Sequence, residues 1–216
     1  MPDASPDDGL PYSQAAANNR DPILAQLRRL LAQSDSVVEI GAGTGQHALH
    51  FARALPDIRW QPTEHPDALE ILGRRCVGTG LPNLAKPLAL DIRATPWPVR
   101  APGAFFTANT LHIVAWETVE VFFAACGEHA GPNTLLIAYG PFNYDGRFTS
   151  ESNERFDGWL RERDGASGIR DFERVDACAR GAGFALSEDI AMPANNRLLC
   201  WGQGAGRGSD APGASC

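Results

Sequence analysis

Ten consecutive residues carry most of the information about the fold of this chain: Val37-Val38-Glu39-Ile40-Gly41-Ala42-Gly43-Thr44-Gly45-Gln46. The apolar run before the glycines predicts a short buried strand. After the glycines, apolar side chains recur at helical spacing, at Ala48, Phe51, Ala52 and Leu55. Strand, glycine turn and helix in this order predict a βα unit in which the backbone closely approaches a ligand at the start of the helix.

Strand and helix signals alternate on both sides of this unit. Asp21 before Pro22 predicts a helix that is capped at Asp21. Further strands are predicted at 58–61, 87–90, 105–108 and 134–139, and further helices at 66–77, 119–126 and 171–182. Such alternation is typical of an α/β protein that has a parallel sheet with helices on both faces. The segments 184–192 and 197–201 are joined by only four residues, which predicts a terminal antiparallel hairpin.

One folded domain accounts for most of the 216 residues. The polar N-terminal residues 1–11 and the Gly-, Ala- and Ser-rich residues 203–216 are predicted to be disordered tails, which leaves residues 12–202 as the domain. Between residues 141 and 170 the alternation stops and the chain becomes polar, aromatic and turn-rich. This change predicts a cap segment with a short helix near 151–163.

Composition narrows the classes of partner. The formal net charge of -7 disfavours long nucleic acid. No apolar run approaches the roughly 18 residues that cross a bilayer, and the N-terminal residues lack a signal-peptide pattern, so we expect no membrane association and a cytoplasmic location. The five cysteines form no Cys-x-x-Cys pair, and His47 and His50 lack a third ligand, so no metal site is expected. The oligomeric state is not indicated.

The glycine spacing discriminates between nucleotide-like ligands. A dinucleotide site of the G-x-G-x-x-G type needs a third glycine at position 46, where this chain has Gln46, and no lysine follows the glycines as in an ATP phosphate loop. An acidic residue followed by alternate glycines resembles the first motif of class I S-adenosylmethionine-dependent methyltransferases. The candidate cofactor residues here are Glu39, Gly41, Gly43 and Gly45, with Glu39 orienting the loop rather than binding directly.

Two carboxylates follow the next predicted strands. Glu64 lies 19 residues past Gly45, where it could accept hydrogen bonds from both ribose hydroxyls. Asp91 closes the third strand and could accept from an adenine amino group, with the backbone N–H of Ile92 near a ring nitrogen. Ordinary helix-capping and turn roles are the alternatives for the two carboxylates.

A longer resemblance covers residues 12–202. Its motifs are Ala17-Asn18-Asn19-Arg20-Asp21-Pro22-Ile23, the Glu39–His47 loop, Trp60-Gln61-Pro62-Thr63-Glu64, Asn109-Thr110-Leu111-His112-Ile113 with Trp116-Glu117, Tyr139-Gly140-Pro141-Phe142, Gly168-Ile169-Arg170-Asp171 and Met192-Pro193-Ala194-Asn195-Asn196. These motifs resemble the domain-of-unknown-function 938 family. The family implies the class I methyltransferase (Rossmann-like) fold, a seven-stranded sheet of order 3-2-1-4-5-7-6, and an S-adenosylmethionine site without a settled substrate. It often has Ser-Asp where this chain has Thr63-Glu64, so the ribose carboxylate is one methylene longer here.

The end of the fourth predicted strand carries the catalytic candidates. Asn109 and His112 lie where substrates bind at the edge of an open α/β sheet, and Asn109 is also a candidate cofactor contact. The ordinary pKa of histidine suits His112 to act as a general base, which is needed only if the methyl acceptor must lose a proton. A buried structural role is the alternative for His112.

Other polar and aromatic residues complete the candidate site. Arg20 could clamp a carboxylate of the cofactor or of a substrate, with an ordinary polar loop as the alternative. The candidate substrate-binding residues are Asn18, Asn19, Trp116, Tyr139 and Asn143. Core packing is the alternative for the Trp and Tyr.

The sequence therefore predicts an S-adenosylmethionine-dependent methyltransferase that acts on a small molecule. The alternative is a scaffold or regulatory protein that binds S-adenosylmethionine or S-adenosylhomocysteine without methyl transfer. An NAD-dependent oxidoreductase is a weaker alternative.

Overall fold

The computed structural model describes residues 9–203, so most of both predicted tails lies outside the described residues. The strands are β1 (Ser36–Ile40), β2 (Arg59–Glu64), β3 (Leu88–Ala89), β4 (Ala104–Ala108), β5 (Leu135–Gly140), β6 (Phe142–Asn143), β7 (Arg170–Asp171), β8 (Phe184–Met192) and β9 (Asn196–Gln203). The α-helices are α1 (Gln14–Leu30), α2 (Gln46–Ala54), α3 (Leu69–Cys76), α4 (Trp116–His129), α5 (Glu151–Arg163) and α6 (Phe172–Gly181).

Seven strands form one sheet in the order β3-β2-β1-β4-β5-β9-β8. The strands from β1 to β5 pair in parallel, and β9 pairs antiparallel with both β5 and β8. Once the short strands β6 and β7 are set aside, this order is 3-2-1-4-5-7-6. The predicted fold, including the terminal hairpin, is confirmed. Because the parallel strands share a direction, their carboxyl ends meet at one edge of the sheet.

Both faces of the sheet are covered by apolar side chains. Successive residues of a strand point to opposite faces, and β4 shows this with Phe105 in one core cluster and Phe106 in the other. The cluster of Phe105 includes Phe122 and Phe123 of α4. The cluster of Phe106 includes apolar residues of α1 and α2, which cover the other face. The sheet is therefore buried on both sides, as the continuous apolar strands predict.

Helix α1 begins earlier than the sequence pattern predicts. The Ser13 side-chain oxygen accepts a hydrogen bond from the Ala16 N–H at 3.2 Å and caps the helix, and Pro22 lies inside it. The predicted cap at Asp21 is therefore wrong. The alanines after Gln14 have high helix propensity, which together with the Ser13 cap offsets the cost of an internal proline. As a result, residues 18–20 are helical rather than part of a loop.

The segment at 141–170 contains the predicted short helix, α5, together with one feature the sequence did not indicate. Strands β6 and β7 form a separate two-stranded parallel sheet, in which Phe142 pairs with Arg170 and Asn143 with Asp171. Two residues in each strand are too few for a periodic pattern. This small sheet joins the two ends of the cap segment.

Candidate functional site

A cavity of about 350 Å³ lies at the carboxyl ends of the parallel strands. Four of the predicted cofactor residues line it, namely Gly41, Glu64, Asp91 and Ile92. They follow β1, β2 and β3, three neighbouring strands of the sheet. The topology thus brings together residues that lie up to 51 positions apart in the chain. We call this the donor cavity, after the methyl donor that the sequence analysis predicts for these residues.

The glycine loop lies close to the segment that follows β4. Gly41 has φ +72°, and a Cβ placed there would lie 2.7 Å from the side-chain oxygen of Thr110, another residue of the donor cavity. Gly45 has φ +77°, and its added Cβ would lie 2.8 Å from Leu72. Both positions therefore need glycine for conformation and for space.

The Glu64 carboxylate is held by backbone groups. Its Oε2 accepts from the Gly43 N–H at 2.5 Å, and its Oε1 accepts from the His65 N–H at 2.8 Å. Each carboxylate oxygen has about two acceptor sites, so one site per oxygen is still open toward ligand or solvent. The additional methylene of Glu relative to Asp is accommodated in this arrangement.

Asp91 has both a local turn role and a place in the donor cavity. Its Oδ1 accepts from the Arg93 N–H at 2.9 Å, as in an Asx turn. Its Oδ2 lies 3.9 Å from His65 Nε2, and the side chain keeps 29 % of its surface exposed. The turn contact therefore orients the carboxylate without covering it.

Asn109 and His112 come together beside the end of β5. Asn109 has φ +59°, and its N–H donates to the Tyr139 carbonyl at 2.8 Å. A Cβ added to Gly140 would lie 3.5 Å from His112 Nδ1 and 3.8 Å from Asn109 Oδ1. These are ordinary contact distances, so both polar side chains lie beside Gly140 at one point of the sheet edge.

The pKa of His112 departs from the value expected of a general base. Burial, with a smaller contribution from the positive charge of Arg170, lowers its pKa to about 4. The imidazole is therefore neutral at pH 7 but has a weak affinity for a proton. Burial disfavours the charged imidazolium, so this lowered pKa argues against base catalysis by His112 near neutral pH.

Comparison with known proteins identifies the family. The model for "Protein of unknown function (DUF938)" matches residues 10–203. The chain belongs to this family. Every parallel strand, the glycine loop and the terminal hairpin lie inside the matched range.

Solved structures of methyltransferases share the fold of the DUF938 chain. An O-methyltransferase family protein from Burkholderia thailandensis matches with TM-score 0.77 and 14% identity over 89% of this chain and 58% of its own. The mitomycin 7-O-methyltransferase MmcR matches with TM-score 0.74 and 17% identity over 88% and 54%. Human N-acetylserotonin methyltransferase in complex with SAM matches with TM-score 0.74 and 13% identity over 89% and 53%. The DUF938 chain spans about half the length of these proteins.

Glu39 of the DUF938 chain does not line the donor cavity. Its buried carboxylate accepts from the Trp60 indole N–H at 2.6 Å. Burial raises the pKa of Glu39 to about 7, the Trp60 hydrogen bond opposes this, and the Glu64 charge adds to it. Glu39 thus anchors β1 to β2, which agrees with its interpretation as an indirect contributor to the loop.

Asn19 and Tyr139 belong to a buried polar cluster rather than to the donor cavity. Asn19 Oδ1 lies 2.6 Å from His47 Nε2. The side chains of Asn19 and Asn196 lie close enough to the Tyr139 hydroxyl to lower its pKa, although burial has the larger effect and raises it. We call these four residues the α1 polar cluster. Their polar groups lie close to one another in the described structure, so the predicted substrate role of Asn19 and Tyr139 has a structural alternative.

The remaining predicted residues on α1 lie near this cluster or in solvent. Arg20 lies close enough to His47 to contribute to the lowering of its pKa to about 4, which is caused mainly by burial. Asn18 is exposed and accepts from Gln14 Nε2 at 2.8 Å. Because both residues are helical, neither sits in the loop that the sequence predicted.

Trp116 and Asn143 differ in their surroundings. The Trp116 indole N–H donates to Glu120 at 2.8 Å, and the Arg174 guanidinium lies 3.9 Å from the ring centre. Trp116 is therefore a packing residue between α4 and α6, not a wall of the donor cavity. Asn143 is buried, and its Oδ1 has no hydrogen-bond partner among residues 9–203.

Several lining residues were missed by the sequence analysis. They are Ile40, His65, Leu90, Arg93, Thr110, Ile113, Val114, Ala115, Thr118 and Asp164. Ile40 is the last residue of β1, and His65 and Leu90 directly follow β2 and β3, so strand position was the available signal for these three. Asp164 comes from the end of α5, and no local pattern connects it with the glycine loop.

Gln46, which stands where the dinucleotide motif has its third glycine, has a structural role. Its Oε1 accepts from the Ser13 N–H at 2.6 Å, and its Nε2 donates to the Ser13 carbonyl at 3.2 Å. The Thr44 hydroxyl also donates to Oε1, at 3.0 Å. Gln46 therefore ties the start of α1 to the glycine loop.

Two absences within residues 9–203 concern membranes and metals. No helix there is long and apolar enough to cross a membrane. No group of three or more His, Cys, Asp or Glu side chains in that range is arranged to hold a metal ion.

Proposed function

We propose that this protein is an S-adenosylmethionine-dependent methyltransferase that acts on a small molecule. The observation that carries the proposal is the donor cavity, where Gly41, Glu64 and Asp91 from three strand ends line one space of about 350 Å³. Small-molecule sites have volumes of roughly 300–1,000 Å³. The methyltransferase fold alone would not support this proposal, because fold does not determine function.

The residues present fit the methyl donor. Glu64, fixed by two backbone N–H groups, would accept from the ribose hydroxyls. Asp91 and Ile92 would hold the adenine, and the absence of a side chain at Gly41 would let the methionine end approach the backbone. When bound, the donor supplies an electrophilic methyl group on a sulfonium.

Asn109 and His112 are proposed to bind the methyl acceptor beside Gly140, with Asn143 as a further buried polar group of the cap. A neutral imidazole can accept a hydrogen bond from an acceptor hydroxyl and orient it. With a pKa of about 4, however, His112 is a weak base. Positioning of donor and acceptor is therefore proposed as the main source of acceleration.

The small-molecule class has two supports. The names of the mitomycin and N-acetylserotonin methyltransferases, which share the fold, both refer to small-molecule acceptors. The net charge of -7 disfavours nucleic acid as the acceptor.

Calorimetric titration with S-adenosylmethionine, S-adenosylhomocysteine and NAD in parallel tests the donor assignment. We expect binding of the first two only. Binding of NAD alone would overturn the proposal, as would binding of none. The hydrogen bonds between Gln46 and Ser13 oppose the NAD alternative, because the Gln46 side chain occupies the position where a dinucleotide motif has its third glycine.

A second candidate function is binding of the donor or its product without methyl transfer. The burial of His112, which suits a structural role for this side chain, favours it. Release of S-adenosylhomocysteine during incubation with fractionated metabolite extracts separates the two functions. Turnover that depends on an extract fraction supports the enzyme, whereas tight binding without turnover in every fraction supports the binding protein.

A further inference from the structure

Four consecutive carbonyl groups after β4 are all bonded by the cap. The carbonyl of Leu111 accepts from Arg170 Nε at 3.0 Å, and that of His112 from the Gly168 N–H at 2.9 Å. The carbonyl of Ile113 accepts from the Ser167 hydroxyl at 2.6 Å. The fourth, that of Val114, accepts from Arg170 Nη2. We call residues 111–114 the wall loop and residues 166–170 the strap.

Arg170 makes the largest share of these contacts. Besides its two bonds to the wall loop, its Nη2 donates to the Ala166 carbonyl at 2.9 Å, so one guanidinium joins the strap to itself and to the loop. The planar fork of donors in Arg matches several carbonyls at fixed directions, which the single ammonium of Lys cannot do. Hydrogen bonds from a charged donor are also stronger than neutral ones.

The strap is itself fixed to the cap helix. The buried carboxylate of Asp157, on α5, accepts from the Ile169 N–H at 2.7 Å and from Arg161 Nε at 2.6 Å. A Cβ at Gly168 would lie 2.9 Å from Asp157 Oδ1. The strap therefore has little freedom to shift relative to α5.

The wall loop forms part of the donor cavity. Ile113 and Val114 line it, followed directly by Ala115. Ile113 is 55% exposed, so few packing contacts hold it in place. The N–H groups of Ile113 and Val114 donate to the Thr110 carbonyl at 2.9 and 3.3 Å, and the strap bonds the carbonyl side of the same residues. The strap therefore supplies the constraint on this part of the cavity wall that comes from outside the loop itself.

We propose that Arg170 is a positioning residue for the donor site: it holds the wall loop in the conformation that binds the donor without touching the donor itself. This inference rests on the proposed function. It makes the donor site depend on the cap, a segment that the glycine-loop and strand-end patterns do not include.

The test compares Arg170→Met with a matched control, Arg180→Met. Arg180 is an exposed arginine on α6 whose Nε lies 2.9 Å from Asp176, and it has no part in the donor cavity. The affinity for S-adenosylhomocysteine is measured by calorimetry at a temperature where circular dichroism shows each variant fully folded. We expect about a tenfold weaker Kd for Arg170→Met, equivalent to about 1.4 kcal/mol. The control should bind as the unmodified protein does.

Arg170→Lys tests whether the positive charge alone is sufficient. If Arg170 acted only through its charge, lysine would restore the affinity fully. We expect a Kd between those of the unmodified protein and Arg170→Met. If Arg170→Met does not fold, Ser167→Ala removes only the bond to the Ile113 carbonyl and should weaken binding in the same direction by a smaller factor.

Two failures are distinguishable. If the unmodified protein binds no S-adenosylhomocysteine, the proposed function fails and this inference fails with it. If the unmodified protein binds and the folded variant of Arg170, or of Ser167 in its place, binds equally tightly, only the inference is overturned.

Discussion

Two polar regions hold most of the candidate residues, and they differ in what their polar groups contact. In the donor cavity, Glu64 and Asp91 accept from backbone N–H groups and still border open space. In the α1 polar cluster, Asn19, His47 and Tyr139 are buried, and their polar side-chain groups face one another. A polar residue near a predicted sheet edge is therefore a binding candidate only where its neighbours leave hydrogen-bonding capacity directed at a cavity.

The largest effect is expected at Glu39, whose buried carboxylate accepts a hydrogen bond from Trp60 and does not line the donor cavity. Its folded pKa of about 7 lies above its ordinary value of 4.5, so the folded state keeps a proton that the unfolded state loses. The stabilisation is complete below pH 4.5 and is lost as the pH rises through 7. The loss is about 3 kcal/mol.

Glu39→Gln removes this titration and keeps a carbonyl oxygen for Trp60. We expect the unfolding free energy of the variant, relative to the unmodified protein, to rise between pH 4.5 and pH 7.5. Urea denaturation at a series of pH values measures this difference, with Glu70→Gln, an exposed acid on α3, as the control. A pH-independent difference would contradict the assignment.

A smaller effect is expected from Asn19→Ala in the α1 polar cluster. The change removes a hydrogen-bond partner of His47 and a polar neighbour of the Tyr139 hydroxyl inside a buried region. We expect a loss of about 2 kcal/mol in the free energy of unfolding, since unsatisfied buried groups are costly. Affinity for S-adenosylhomocysteine should not change. Reduced affinity in the folded variant would instead assign Asn19 to the binding site.

Glu64→Ala should have the opposite pattern. We expect cofactor affinity to fall by about 1.5 kcal/mol, the scale of hydrogen bonds to a charged group. The thermal midpoint without ligand should be close to that of the unmodified protein. Calorimetry gives the affinity, and Glu70→Ala, an exposed acid on α3, is the control. Equal affinities for the two variants would exclude Glu64 as the ribose carboxylate.

The smallest effect is expected at Asn18, which is exposed and whose side chain accepts a hydrogen bond from Gln14 on the same helix. Asn18→Ala should change the unfolding free energy by less than about 0.5 kcal/mol. Affinity should be equally unaffected. A clear loss of turnover in this variant would place the methyl acceptor over the start of α1.

The sequence predicted those features that depend on local patterns. Apolar runs located the long strands, and the glycine loop with Glu64 and Asp91 located the donor cavity, because parallel strands end at one edge. Asp21-Pro22 gave a false helix start, since the local signal matched a cap while Ser13 supplied a better-placed one. The strap around Arg170 could not be predicted, because its bonds join segments more than 50 residues apart.

The two hydrogen bonds between Gln46 and Ser13 suggest where movement of the glycine loop can be measured. The Gln46 side chain bonds both the N–H and the carbonyl of Ser13. The start of α1 is therefore joined directly to the residue that follows the loop glycines. Tyr12, immediately before Ser13, is 44% exposed. A fluorescent reporter attached at position 12 would therefore register displacements of the loop from outside the cavity, with no label near the ligand.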